Sequence, residues 1–376
     1  MRQRSPDATT AAPLENSAPL FPEGEENDGR PAPAVHRTAA AMPPPKENHA
    51  GRRPGIAAAM LRLFLLPALA FWMTSGCTVD LAADLTPAPY RPPVTSGEIA
   101  NPDLAEASGM AASIRRPGCF WMVNDSGNGA VLHAVGPAGQ HFGSVALAGA
   151  VNTDWEDLAS FTLDGQAYLL IADTGDNRAA RGTIALYLVK EPDIPGSAEH
   201  PPLQAIPARV IRFRFPDGPK DCEAVAVDQA DALVLLFSKR LRPPMLYSLE
   251  LRSTASADVT TARALGPVDT IPSPTEAELM ADPIYGRFRS QPTSLDISAD
   301  GNRAAVLTYG GAYLFSRVYG EPWEQVFARK PAALPGFKLR QAESLCFGTD
   351  GRTIFISSER QPAPLLRLEP SDGINP

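Results

Sequence analysis

Short apolar runs recur along the chain and predict paired β-strands. Each run is preceded by a three-residue step whose first and third residues are polar. We use the third residue of each opening step as an anchor, and the anchors are Ser108, Glu156, Glu223, Thr293 and Glu343. In most copies a turn signal such as Asp164-Gly165 follows the first run, and a second, more apolar run comes next. Each second run ends just before the seventeenth residue after its anchor. The pattern therefore predicts five two-strand units of similar design.

The spacing of these units indicates the fold class. Successive anchors lie 48, 67, 70 and 50 residues apart. A period of about 50 residues built from short strands is typical of the blades of a β-propeller. We therefore predict an all-β chain folded as a six-bladed β-propeller with five recognisable blades. The two long steps carry insertions, or one of them hides a degenerate blade; the alternative fold is a β-sandwich with coincidental spacing.

The second long step contains a helix signal. Ser273, Pro274 and Glu276 suit the N-cap, N1 and N3 positions of a capping box. The helix should end before Pro283, because proline cannot continue a helix. An inserted helix either packs against the blades, which we favour, or forms a lid over the central funnel.

The first 76 residues are not expected to belong to the propeller. Residues 1–59 hold ten prolines and no apolar periodicity, so they are expected to be a disordered extension or the result of a misassigned start before Met60. Residues 60–76 contain an apolar run that is too short to span a bilayer as a helix. Basic residues precede that run, so we expect 60–76 to be a secretory signal peptide.

The end of that segment suggests an anchor. Ser75-Gly76-Cys77 resembles the end of a bacterial lipobox, in which the cysteine is lipidated after cleavage, although Thr74 replaces the usual aliphatic residue. The resemblance implies a lipoprotein of the cell envelope, periplasmic or associated with the outer membrane, that contacts the membrane through Cys77; a secreted protein is the alternative. Residues 77–105 are rich in Pro and Ala and predict a tether, unless part of them supplies the outer strand of the last blade. Residues 106–376 would form the propeller.

Composition excludes some classes of function. The net charge is −8 with a pI near 5.3, and no Lys/Arg cluster occurs in the propeller, so a nucleic-acid partner is not expected. Cys119, Cys222 and Cys346 are odd in number and form no C-x-x-C pair, so no disulfide framework is predicted, although one bond between two of them stays open. We expect a monomer.

Charged residues near the anchors are the candidates for chemistry. In an antiparallel unit the anchor and the seventeenth residue after it should be cross-strand neighbours at one face of the propeller. The charged pairs predicted in this way are Glu156 with Asp173, Glu223 with Arg240, and Glu343 with Arg360. The last two predict ion pairs. Two adjacent carboxylates instead repel, so Glu156 and Asp173 must share a proton or a cation.

Further oxygen-bearing side chains surround that carboxylate pair on glycine-containing loops. Oxygen ligands of this kind suit a hard cation, most naturally Ca²⁺. The candidate metal ligands are Asp125, Glu156, Asp173 and Asp176. The alternative is that these side chains cap turns by bonding to nearby backbone. Candidates for contact with a ligand in the funnel are Asp154, Trp155, Glu223, Glu343, Arg240 and Arg360, although Trp155 is more simply a wedge in the core.

Three motifs resemble the inner-strand motifs of bacterial secreted propellers, a broad group that includes phytase-like, esterase-like and gluconolactonase-like proteins. The motifs are Glu-Ala-Ser-Gly at 106–109, Asp-Trp-Glu-Asp-Leu-Ala at 154–159 and Asp-Cys-Glu-Ala-Val-Ala at 221–226. In those enzymes acidic residues of the inner strands hold Ca²⁺ in the central funnel. The resemblance implies that Glu156, Glu223 and Glu343 point toward the funnel. The chain departs from the group where Arg240 and Arg360 follow two of these residues.

No catalytic motif accompanies the acidic residues. The sequence has no G-x-S-x-G elbow, no glycine-rich phosphate loop and no H-E-x-x-H, and no catalytic residue is assigned. Three functions therefore remain open. They are a binding module that takes a small molecule or a protein at the acidic funnel face with Ca²⁺ in its loops, a Ca²⁺-dependent hydrolase of phosphoesters or lactones, and a structural scaffold.

Overall fold

A computed structural model of the protein describes residues 90–197, 202–207, 209–252 and 259–371. The expected extension at 1–59, the expected signal peptide at 60–76, Cys77 and the first part of the expected tether lie outside these ranges. Within them, no helix combines the length and the apolar character needed to cross a membrane.

The described residues are mostly β-strand. In chain order the strands are β1 (Val94–Glu98), β2 (Ala107–Ala112), β3 (Phe120–Asn124), β4 (Val131–Val135), β5 (His141–Leu147), β6 (Trp155–Leu163), β7 (Gln166–Asp173), β8 (Ile184–Lys190), β9 (Leu203–Ala205), β10 (Arg209–Arg214), β11 (Cys222–Asp228), β12 (Leu233–Ser238), β13 (Met245–Glu250), β14 (Thr260–Thr261), β15 (Arg263–Pro267), β16 (Pro292–Ile297), β17 (Arg303–Thr308), β18 (Gly311–Ser316), β19 (Ala332–Ala333), β20 (Ala342–Phe347), β21 (Ile354–Ser358) and β22 (Pro364–Leu368). The helices are α1 (Glu276–Ala281) and α2 (Trp323–Phe327), and a 3-10 turn covers Gly286–Phe288.

The strands form five sheets, and each sheet is one blade of a propeller. Blade 1 has the order β2-β3-β4-β5-β9, blade 2 β6-β7-β8-β10-β14, blade 3 β11-β12-β13-β15, blade 4 β16-β17-β18-β19 and blade 5 β20-β21-β22-β1. The inner strands β2, β6, β11, β16 and β20 contact one another in that order, and β20 contacts β2 to close the ring. The predicted all-β propeller is confirmed.

The described ranges contain five blades, so the expected number of six was wrong. The two long anchor steps add strands to existing blades instead of building a new one. β9 pairs in parallel with β5 of blade 1, and β10 and β14 extend blade 2 beyond β8. The rest of the second insertion includes α1 and the 3-10 turn.

The ring is closed by a strand from the N-terminal side. β1 pairs antiparallel with β22, so the outer strand of blade 5 comes from one end of the described chain and its three inner strands from the other. Part of the stretch 77–105 is thus the outer strand of the last blade, which was the alternative to a tether along its whole length.

The hydrophobic core lies between the blades. Five clusters of buried side chains each combine residues from two neighbouring blades. Trp155 is completely buried in the cluster between blades 1 and 2, so the ligand-platform role for this residue was wrong and the core role is confirmed. Cys119, Cys222 and Cys346 are buried and free, so none of the three forms a disulfide.

The inserted helix differs from its prediction in position and in packing. Thr275, rather than Ser273, is the N-cap of α1, and its capping-box partner is Glu278. None of the six residues of α1 is buried, so the packing role that we favoured was wrong. Glu278 instead pairs with Arg289, whose backbone carbonyl accepts a hydrogen bond from the amide of Gly310 in the turn between β17 and β18.

Candidate metal centre

The same β-bulge occurs in the inner strand of every blade. In each case the pairing with the second strand shifts by one position, and the extra residue is the anchor: Ser108, Glu156, Glu223, Thr293 and Glu343. A bulge bends its strand and re-aims a side chain. The five anchors therefore occupy the same bulge at the same end of the five inner strands. We call this end of the propeller the acidic face.

Hydroxyl side chains at this end tie neighbouring blades together. Ser108 Oγ donates to the carbonyl of Trp155 at 2.7 Å, and Thr293 Oγ1 donates to the carbonyl of Ala342 at 2.7 Å. Thr174 Oγ1 makes the equivalent bond to the carbonyl of Cys222 at 2.7 Å. Each acceptor carbonyl belongs to the residue just before the next blade's anchor. The two neutral anchors therefore have structural partners, and three acidic anchors remain.

Five carboxylates of blades 1, 2 and 3 come together at the acidic face. One oxygen each from Asp125, Asp154 and Glu156 lie within 4.8 Å of one another, and we call these residues the outer triad. One oxygen each from Glu156, Asp221 and Glu223 also lie within 4.8 Å of one another, and we call these the inner triad. Glu156 belongs to both, so it is the centre of the cluster.

Backbone geometry holds the outer triad in place. Asp125 follows β3 directly, and Asn152 donates to its carbonyl at 2.8 Å. The carbonyl of Asp154 accepts a hydrogen bond from the amide of Gly175 at 3.1 Å. A Cβ added to Gly175 would lie 2.1 Å from Glu156 Oε1, so only glycine leaves room for the carboxylates at this point.

The inner triad is neutralised by basic side chains of blade 3. Lys239 forms an ion pair with Glu223, and Arg240 Nε donates to Asp221 Oδ2 at 2.7 Å. Burial lowers the pKa of Lys239, but the surrounding acidic groups raise it by more, and its net pKa lies well above the usual value. The Lys239 ammonium is therefore charged and fills the role that a cation would have at the inner triad.

The outer triad is compensated less, because only Glu156, which it shares with the inner triad, is stabilised by the Lys239 charge. Among the residues that the structure describes, no Lys or Arg side chain forms an ion pair with Asp125, Asp154 or Glu156. Burial, the Asp125 charge and a hydrogen bond with Asp125 raise the pKa of Asp154 to about 7. Burial and then the charge of Glu223 raise the pKa of Glu156 well above its usual value. Without a cation these carboxyls therefore hold protons more tightly than free ones.

The donor set suits a hard cation. All its atoms are carboxylate oxygens, the ligand type of Ca²⁺ and Mg²⁺, and Glu156, which belongs to both triads, is 6% exposed. Asp125 and Asp154 are partly exposed, so the outer triad is open to solvent on one side and buried on the other. A buried acidic cluster of this form can bind a metal.

Two of the predicted metal ligands lie outside both triads. Asp173 pairs with Arg181 at 2.7 Å and accepts the amide of Asp154 at 3.2 Å. Asp176 accepts the amides of Ala180 and Arg181, each at 2.8 Å, which is the turn-capping chemistry that was the alternative. The structure thus brings Asp125 and Glu156 together with Asp154 and not with these two residues.

The predicted pairing of each anchor with the seventeenth residue after it was wrong. Because of the bulge, Asp173 lies opposite Trp155 and the next pair is Asp157 with Ala172, which leaves Glu156 without a cross-strand partner. Arg240 binds Asp221 instead of the anchor Glu223.

Blade 5 shows the same departure from the predicted pairs. Glu343 accepts a hydrogen bond from the Tyr309 hydroxyl at 2.5 Å, and Arg360 lies 4.0 Å from Glu359. Burial raises the pKa of Glu359 to about 7, with a further contribution from the charge of Glu343. Glu343 and Arg360 are therefore at the acidic face, but they are not joined in the predicted ion pair.

Sequence reasoning missed Asp221, Lys239 and Tyr309 as members of the acidic face. A signal for Asp221 was present, because it stands two residues before its anchor, as Asp154 does. Lys239 and Tyr309 stand sixteen residues after their anchors. In blades 3 and 4, the residue that reaches the acidic face is therefore the sixteenth after the anchor, not the seventeenth.

Comparisons with known proteins add the following. No protein-family model matches the chain, and no curated protein matches its sequence. The solved structures with a similar fold include a PQQ-bound aldose sugar dehydrogenase from Streptomyces coelicolor, at 11% identity and a TM-score of 0.39, covering 75% of this chain and 99% of that one. They also include a nidogen/laminin complex at 11% and 0.35, covering 68% and 73%.

A third similar structure is a putative 6-phosphogluconolactonase from Bacteroides uniformis, at 13% identity and a TM-score of 0.35, covering 72% of this chain and 73% of that one. At these identities and TM-scores the likenesses carry no argument about function.

Proposed function

We propose that the protein is a ligand-binding β-propeller whose acidic face holds one Ca²⁺ between Asp125, Asp154 and Glu156. A small molecule or protein with a carboxylate, phosphate or carbonyl oxygen would bind on the solvent side of that ion. The observation that carries the proposal is the outer triad itself, in which one oxygen from each of three carboxylates lies within 4.8 Å of the others and no described Lys or Arg side chain forms an ion pair with them.

The chemistry of the triad supports one cation rather than two. Like charges brought together away from water must be neutralised by protons or by a cation. At the inner triad, Lys239 and Arg240 already supply positive charge. At the outer triad the Lys239 charge acts on Glu156, but Asp125 and Asp154 form no ion pair with a described Lys or Arg side chain. A divalent ion there would compensate the remaining negative charge. Ca²⁺ takes six to eight oxygen ligands, and three carboxylates leave part of that number for water or a ligand.

A hydrolase of phosphoesters or lactones is the second candidate. The partial exposure of Asp125 and Asp154 favours it, because a cation held there would have coordination positions facing solvent. A metal in such a position lowers the pKa of bound water and polarises a substrate oxygen. A hydrolase should show Ca²⁺-dependent cleavage of p-nitrophenyl phosphate or of a δ-lactone by the wild type and not by Glu156→Gln. A binding module should bind Ca²⁺ and cleave neither.

Attachment to the cell envelope through a lipid on Cys77 is part of this proposal. Its support is the lipobox-like step Ser75-Gly76-Cys77 after an apolar run. In this arrangement the lipid contacts the membrane, and the acidic face of the monomeric propeller binds its ligand.

The decisive experiment measures Ca²⁺ binding and thermal stability of the full chain. We expect calorimetric binding of one Ca²⁺, and a rise in melting temperature when Ca²⁺ replaces EDTA. A ligand that binds only the folded state at a hundred times its Kd stabilises that state by about 2.7 kcal/mol. Glu156→Gln should weaken Ca²⁺ binding at least tenfold and abolish the rise.

The matched control is Glu343→Gln, which changes the equivalent bulge residue in blade 5. It lies outside both triads, so it should keep the Ca²⁺ affinity within about twofold of the wild type. Failure of the wild type to bind Ca²⁺, or equal losses in the two variants, would contradict the proposed site.

A further inference from the structure

The propeller has a cavity at the end of its axis opposite to the acidic face. Its volume is about 270 Å³, and it opens where the inner strands end. Every blade contributes the residue four positions after its anchor, and these residues are Ala112, Ser160, Val227, Ile297 and Phe347. The cavity therefore lies on the propeller axis and is walled by all five inner strands.

A buried carboxylate separates this cavity from the acidic face. Asp157, the residue after the anchor of blade 2, is completely buried. Its carboxylate accepts the amide of Val225 in blade 3 at 2.8 Å and the amide of Leu295 in blade 4 at 3.1 Å. These bonds join three inner strands across the axis. The cavity and the metal centre are thus two separate sites.

The walls of the cavity are neutral except at one point. Aliphatic and aromatic side chains alternate with hydroxyl and amide groups, and Asp296 is the one acidic or basic side chain among the described residues that line it. Its carboxylate oxygens accept the amides of Ile297 at 2.8 Å and Phe347 at 2.7 Å. A carboxylate has about four acceptor positions, so two remain for a ligand.

No basic group among the described residues compensates that charge. Among the residues with described side chains, no Lys, Arg or His forms an ion pair with Asp296. The apolar part of its surroundings consists of Ile297 and Phe347 on its own side and Phe161 on the wall from blade 2. A charged carboxylate in such a place is stabilised by a cation that brings its own apolar surface.

The volume sets the size of that cation. A cavity of about 150 Å³ is large enough to hold benzene. The cavity of 270 Å³ therefore accommodates one aromatic ring with a short chain. We propose that this axial cavity is a second binding site, which takes a small organic amine with its ammonium on the Asp296 carboxylate and its apolar part against Phe161, Ile297 and Phe347.

Two probes of equal shape test the proposal on the full chain. Phenethylamine carries the ammonium, and 2-phenylethanol replaces it by a neutral hydroxyl. Both are titrated by calorimetry at about pH 8, where the amine is protonated. This is above the pKa of about 7 to which burial raises Asp296, so the carboxylate is ionised. We expect phenethylamine to bind the wild type at least tenfold more tightly than 2-phenylethanol.

Three variants separate charge, access and fold. Asp296→Asn should remove the tenfold preference and leave the affinity for 2-phenylethanol within threefold. Thr162→Trp places a large side chain at an exposed lining position and should weaken both probes at least tenfold, which keeps the proposal testable should Asp296→Asn not fold. Glu250→Gln removes an exposed carboxylate that does not line the cavity and should change neither affinity.

The binding measurements either support or contradict the amine site. The expected pattern supports an amine site at Asp296. Equal affinities of the two probes for the wild type, no binding of either probe, or a preference for the amine that survives Asp296→Asn would each overturn it. Glu156→Gln should leave phenethylamine binding unchanged, so failure of the metal centre and failure of the axial site are distinguishable.

Discussion

Glu156 is the residue at which the features of the metal centre combine. It is the bulged residue of β6, it belongs to both triads, and it forms no ion pair with a described Lys or Arg side chain, although the Lys239 charge lowers its pKa. Its neighbours Trp155 and Asp157 have structural roles, in the core between blades and across the axis. Three consecutive side chains thus serve three purposes, because the bulge turns the middle one away from the normal alternation of a strand.

The metal-free protein should lose stability through Glu156 as the pH rises. Burial raises the pKa of this carboxyl in the folded state well above the value near 4.3 of an unfolded chain. Its contribution to stability is therefore complete below about pH 4 and is lost as the pH rises toward the folded-state pKa, because the unfolded chain then releases the proton first. In EDTA at pH 8, Glu156→Gln should melt at least about 2 °C above the wild type, and the two should converge near pH 4.

Scanning calorimetry between pH 4 and 8, with EDTA and with Ca²⁺, checks this expectation. With Ca²⁺ at pH 8 the order should reverse, since the wild type gains the metal and the variant does not. A difference in melting temperature between the two proteins that does not change with pH in EDTA would show that the pKa of Glu156 is not raised in the folded state.

At the scale of the elements, the strands could be predicted from sequence and the bulges could not. The second strands were predicted within about two residues of their observed ends, and the turn at Asp164-Gly165 has the positive φ angles that an Asp-Gly pair favours. A bulge adds one residue to one strand without changing its apolar pattern. Asp173, the predicted partner of Glu156, therefore lies opposite Trp155 instead, one position away. For the same reason the predicted set of metal ligands was partly wrong.

The closing strand β1 gives a prediction at this scale. Gly97 lies at an irregularity in the pairing of β1 with β22, and a Cβ added there would lie 2.1 Å from the carbonyl oxygen of Ala138 in blade 1. The contact is with backbone, which has little freedom to move. We expect Gly97→Ala to destabilise the protein by about 2 kcal/mol, as overpacking does elsewhere.

Urea denaturation of the full chain measures that effect. Gly336→Ala is the control, because a Cβ at Gly336 meets no heavy atom within 4 Å. The control should unfold at the wild-type midpoint and Gly97→Ala at a lower one. Equal midpoints for the two variants would mean that β1 is not held tightly against blade 1.

For the whole molecule, the architecture could be predicted and the number of blades could not. The repeat distance of about 50 residues can be read from short motifs along the chain, and it indicated a propeller. The extra residues of the long steps enter the fold through distant contacts, such as the pairing of β9 with β5 in blade 1 and of β14 with β10 in blade 2. Nothing in the sequence of a two- or three-residue strand identifies such a partner, so the insertions suggested a sixth blade.

A lipid on Cys77 would hold the propeller close to the membrane. Tyr90 bridges to Pro370 beside blade 5, and 13 residues lead from Cys77 to it. A chain of that length spans at most about 45 Å, so a lipid on Cys77 would keep blade 5 within that distance of the membrane. Each buried CH₂ of the lipid contributes about 0.8 kcal/mol to membrane binding, so loss of the lipid should release the protein.

We expect the full chain, produced in a bacterium that lipidates secreted proteins, to incorporate labelled palmitate and to sediment with the membranes. Cys77→Ser should do neither, and it should melt at the same temperature as the wild type because Cys77 precedes the described propeller. Cys119→Ser, which also removes one cysteine but a buried one inside blade 1, should keep the label. Label retained in Cys77→Ser would show that the lipid is not on Cys77, and a wild type that is soluble and unlabelled would favour the secreted form over the lipoprotein.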